Sequence, residues 1–101
     1  MEDYEGDLGQ RIATATNQIL KELGLSDRVT VTGVQPKLGS TRYAIGLTEQ
    51  TAAKGLVLHH FYIDHVEVMN DPRNLGRTVE GLKRYVRREV EKLFPEPATQ
   101  E

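Results

Sequence analysis

The chain predicts a two-layer α+β domain of order α-β-β-β-α, a three-stranded antiparallel meander covered on one face by two helices. Three features carry that expectation. Apolar residues recur every three or four positions near both ends, from Leu8 to Leu23 and from Leu75 to Leu93. Between them, residues 28–34 (RVTVTGV) and 42–48 (RYAIGLT) alternate apolar with other residues, the two-residue period of a strand with one buried face. A third run, residues 55–69 (GLVLHHFYIDHVEVM), is the longest β-type stretch and is apolar at odd and even positions alike. Strands that follow one another through short loops pair as a meander, and two amphipathic helices can cover its apolar face.

The first helix is expected over residues 7–23. Leu8, Ile12, Ala15, Thr16, Ile19, Leu20 and Leu23 form one stripe, and Glu2, Asp3, Glu5 and Asp7 lie at its positive end. Gly24 followed by apolar Leu25 is a Schellman-type stop. The first two strands share a hairpin through PKLGS (residues 36–40), with Val29, Val31, Tyr43, Ile45 and Leu47 on its apolar side. Residues 49–54 (EQTAAK) read either as a helical turn capped by Thr48 or as a loop. Beyond the long third strand, Asp71 is an N-cap candidate and Pro72 suits a first helical position. From Leu75 the stripe Val79, Leu82, Val86, Val90 and Leu93 continues to Pro95, which predicts a last helix of about six turns. Ile12, Ile19 and Leu23 should complete one core with it.

A chain of 101 residues supports one such core, and 38% hydrophobic with 28% charged residues is a globular composition. The expected organisation is an acidic tail over residues 1–6, one domain over residues 7–94 and a polar tail over residues 95–101. With no cysteine, disulfides, thiolate metal sites and cysteine nucleophiles are excluded. No apolar run approaches the ~20 residues of a membrane span, and MEDYEGD lacks the parts of a signal peptide, so a cytoplasmic protein is expected.

All three histidines lie in the long run. If it is one strand, His59 and His65 share a face about 20 Å apart at ~3.3 Å per residue, too far for one metal ion, and His60 points the other way. No acid, base and nucleophile come together, and Gly33, Gly39 and Gly46 match no phosphate-binding loop. No enzyme activity, cofactor, metal or small-molecule substrate is therefore expected.

Two surfaces could carry a partner. Only one set of alternate residues of the third strand can face the helices, so several large apolar groups stay uncovered. Leu58, His60, Tyr62 and Val66 are the expected contact, with Phe61 and Ile63 as the alternative set. The second surface is a basic ridge on the last helix and its approach, made of Arg73, Arg77, Lys83, Arg84, Arg87 and Arg88. The protein is thus expected to be a non-enzymatic module that forms a homo-oligomer or docks on a protein partner, with nucleic-acid binding as the alternative.

The α-β-β-β-α order, running over nearly the whole chain, resembles that of double-stranded RNA-binding domains. That resemblance implies duplex binding by the start of the second helix, where this chain has DPRNLGRTVEGLKR, with Arg73 and Arg77 but without the family's lysine cluster. A helix, a short meander and a closing helix also resemble the small tail-terminator and neck proteins of tailed phages. This second likeness implies ring assembly and a place in a virion put together in the cytoplasm.

Overall fold

The computed structural model describes residues 8–95. Glu2, Asp3, Glu5 and Asp7, read above as helix-end carboxylates, and the polar tail from Glu96 to Glu101 lie outside the described residues. The chain runs α1 (Leu8–Glu22), β1 (Val29–Pro36), β2 (Arg42–Thr51), β3 (Gly55–Asp64), α2 (His65–Met69), a 3-10 turn (Leu75–Arg77) and α3 (Val79–Leu93). The strands form one antiparallel sheet of order β1-β2-β3. The expected α+β layout is the observed one: α1 packs against β1 and α3, and α3 against β3.

Helix α1 ends as its sequence requires. Leu25 N–H bonds to Leu20 C=O (2.8 Å) and Gly24 N–H to Lys21 C=O (3.1 Å), the two bonds of a Schellman stop. Gly24 takes the left-handed φ of 75° that this stop needs and that a Cβ would oppose. Leu25 then folds back into the core.

The β1–β2 hairpin shifts register between Val31 and Gly33, a bulge that lets Val34 rejoin Val29 and Val31 on the helix side. Strand β2 runs on to Thr51, so residues 49–51 are strand and no helical turn forms at Thr48. The turn into β3 is braced by Thr51, whose hydroxyl accepts the Lys54 N–H and donates to Gly55 C=O.

Two expectations about the second half are corrected. The long third strand stops at Asp64, and residues 65–69 are the short helix α2. Asp64 Oδ1 accepts the N–H groups of Val66 (2.9 Å) and Glu67 (3.1 Å), and Thr41 Oγ1 donates to Asp64 Oδ2 (2.9 Å). A capped helix start has overridden the β-branched side chains of Val66 and Val68. The last helix begins at Val79, not at Asp71 and Pro72, and its cap is Thr78, which accepts Gly81 N–H at 2.9 Å. Asn74, at φ 59°, breaks the backbone in between. At 15 residues α3 has about four turns, not six.

One core joins the layers. Ile12, Ile19, Ile45, Leu47, Leu82, Val86 and Val90 have no exposed surface, and Phe61 and Ile63 are nearly as deep. At roughly 1.5–3 kcal/mol for each fully buried aliphatic side chain, this cluster is the main driving force for the fold. Leu23, Val31, Tyr43 and Val79 pack around its margin.

Candidate interaction surface

The pairing of β3 with β2 settles which alternate set faces the helices. Ile45 lies opposite Phe61 and Tyr43 opposite Ile63 on the core side, while Thr48 lies opposite Leu58, Gly46 opposite His60 and Ala44 opposite Tyr62 on the open side. Phe61 and Ile63, the alternative contact set, are therefore core residues and unavailable to a partner. Leu58, His60 and Tyr62 are on the uncovered face, where expected. Val66 is not: it is on α2, still exposed but off the sheet, because the Asp64 cap turns the chain before it.

The open face is uneven. At the end near residues 52–54, Leu56 and Leu58 stand 66% and 77% exposed, a degree that marks them as uncovered among the described residues. Gln50 and Thr48 are their cross-strand neighbours. Leu56 was not singled out in the sequence, although its even position in the same strand is the signal for it. At the other end Tyr62 is braced: Lys37 Nζ and Arg42 Cζ lie 5.2 and 5.0 Å from its ring centre, and His60 meets it edge-on at 5.7 Å. At these distances each cation is attracted to the face of the ring.

The histidines have separate surroundings. His59 Nε2 is 3.0 Å from Glu49 Oε1, and its ring meets Phe94 at 4.8 Å. His65, on α2 instead of the strand, meets the edge of Tyr43 at 6.0 Å. Among the described residues no three His, Asp or Glu side chains converge as a metal site.

The basic ridge is largely engaged with carboxylates. Lys83 pairs with Glu22 and Glu80, and Arg87 Nη2 lies 2.5 Å from Glu22 Oε1. These contacts link the end of α1 to α3 and hold the Glu22 carboxyl below its ordinary pKa, chiefly through the Lys83 hydrogen bond. Arg73 forms a bidentate pair with Asp71, and Arg88 lies 5.7 Å from the Tyr85 ring centre and 3.9 Å from Glu89. Of the six basic residues named from the sequence, Arg77 and Arg84 have no carboxylate partner among the described residues. Glu80, four residues before Arg84, pairs with Lys83 instead.

Sequence reasoning passed over Arg11. It is buried on α1 and its Nη2 donates to Gly76 C=O at 3.1 Å, which ties the 3-10 turn to the first helix. Its place three residues after Leu8 and four before Ala15 was the available signal, since that spacing is the core-facing one.

No family model, curated protein or solved structure matches this chain. Among the described residues no helix is long and apolar enough to cross a membrane.

Proposed function

We propose that the protein is a non-enzymatic interaction module that assembles through the open face of its sheet. The observation that carries this reading is the pair Leu56 and Leu58, side by side on a face that none of the described helices covers. Burying one such side chain yields roughly 1.5–3 kcal/mol, and His60 and Tyr62 extend the surface with groups that suit the margin of a contact. Leu58→Lys with Tyr62→Lys should leave the circular dichroism spectrum intact and reduce the particle mass in light scattering, or abolish capture of a co-purifying protein. A wild type that is monomeric at high concentration and carries no partner would end the proposal.

Nucleic-acid binding through the basic ridge is the second reading. What favours it is Arg77 and Arg84, two arginines without acidic partners among the described residues, near the segment that double-stranded RNA-binding domains use. The ion pairs of Lys83, Arg87 and Arg73 count against it, since each would have to be exchanged for phosphate contacts. Binding to duplex RNA or DNA that weakens steeply with salt would restore it.

A further inference from the structure

We propose that the partner is a second copy of this chain, joined by antiparallel pairing of the outer edge of β3 with the same edge of its twin. The inference rests on the reading above that the chain assembles through its sheet, and it places the contact along the β3 edge, where Leu56, Leu58, His60 and Tyr62 meet their copies across the seam.

The two edges of the sheet differ. Gln50 N–H bonds to Arg28 C=O and His65 N–H to Thr41 C=O, both at 2.8 Å. Backbone groups alternate sides along a strand, so the odd residues of β3 bond inward to β2, while Leu56, Leu58, His60 and Tyr62 turn their N–H and C=O outward. The same alternation turns Pro36 outward on β1, where it has no N–H to offer, and the bulge at Val31/Gly33 distorts that edge further. Proline and bulges are how sheets protect an edge from unwanted pairing. Strand β3 has neither: its ten residues carry no Lys, Arg or Pro, and its register with β2 is continuous.

The strand is also complementary to itself. Run antiparallel about a two-fold at His59, it sets Leu56 opposite Tyr62 of the twin and Leu58 opposite His60, all on the open face. Lys54 then comes opposite Asp64 of the twin, a pairing of unlike charges made twice by symmetry. Four outward residues per strand supply roughly eight main-chain hydrogen bonds at two per opposed pair. A two-fold normal to the sheet keeps the helices of both copies on one side, and Glu89 and Lys92 of α3, which line a groove with His60 and Tyr62, bring both signs of charge beside this edge.

The chain has no native cysteine, so single-cysteine variants report the arrangement directly. The axis brings residue 59 opposite its own copy, within the reach of a disulfide, and places 58 off the axis. Full-length His59→Cys should oxidise to a covalent dimer while Leu58→Cys does not. A second pair of variants separates backbone from side chain: His60→Ala should stay dimeric, and His60→Pro, which removes one outward N–H, should become monomeric with its circular dichroism retained. If His60→Pro does not fold, the His59→Cys result still decides. An oligomeric wild type with no crosslink at residue 59 would overturn edge pairing and leave face-mediated assembly standing. A wild type that is monomeric in light scattering and carries no partner would overturn both.

Discussion

The Tyr85 hydroxyl donates a 2.5 Å hydrogen bond to Asp71 Oδ2, joining the middle of α3 to the segment that precedes it. Asp71 also receives the guanidinium and backbone N–H of Arg73. The Arg73 side chain is the largest cause, with Tyr85 next, and together they hold the Asp71 carboxyl far below its ordinary value of 3.8. A carboxylate whose pKa is depressed on folding adds stability above its unfolded value, and that stability is lost as pH falls through the native one. Melting temperature should therefore decline below about pH 4, and Asp71→Asn should shrink that acid-dependent loss while lowering stability at neutral pH.

Tyr85 titrates in the opposite sense. The hydrogen bond to Asp71 and its own burial raise its pKa above the ordinary 10.0. The contribution is present below pH 10.0 and fades as pH rises through the native value, so unfolding should become easier in alkali. Tyr85→Phe should remove this alkaline limb in a pH series of thermal melts, which simple loss of packing would not do.

Val86 has no exposed surface and lies among Leu82, Val90 and the sheet. Val86→Asp would bury an unpaired carboxylate and should unfold the domain, whereas Leu82→Ala should cost about 2–5 kcal/mol in denaturant melts. A Val86→Asp protein that melts like the wild type would show that this face of α3 is not in the core.

Gly81 sits where α3 crosses the 3-10 turn. A Cβ added there would come within 2.6 Å of Leu75 Cα, and the obstacle is backbone, which cannot turn aside. Gly81→Ala should thus destabilise despite alanine's better helix propensity, by more than the ~1 kcal/mol that propensity would return. Chemical denaturation with an unchanged slope would confirm a stability effect without a change in the unfolding unit.

How much of this was legible in the sequence depended on whether the signal was local. The Gly24–Leu25 stop could be read because both of its bonds are made within six residues. The helix-facing set on β3 could not, because Phe61 and Leu58 are equally apolar and only the register against Ile45 and Thr48 tells them apart. At Asp64 the signal was present and outweighed: Asp64 with Glu67 three residues on is a helix start, but His65 to Met69 also carries the valines of a strand. Asp71 and Pro72 show the reverse, a start signal spent on a turn, since Asp71 serves Arg73 and Tyr85 and the capping falls to Thr78. The state of the basic ridge was beyond reach, because Glu22, 61 residues before Lys83, answers it across the fold.

Pro36 and the neighbouring bulge have a bearing on how far strand addition can go. A sheet with two receptive margins can recruit strands at both and grow without limit, which is the route to fibres. Here the β1 margin lacks a donor at Pro36 and is distorted at Val31/Gly33, which makes it the less receptive of the two. Under the strand-addition proposal, assembly should therefore end with the strand that joins β3, and Pro36, at the far margin, is the residue expected to stop the growth.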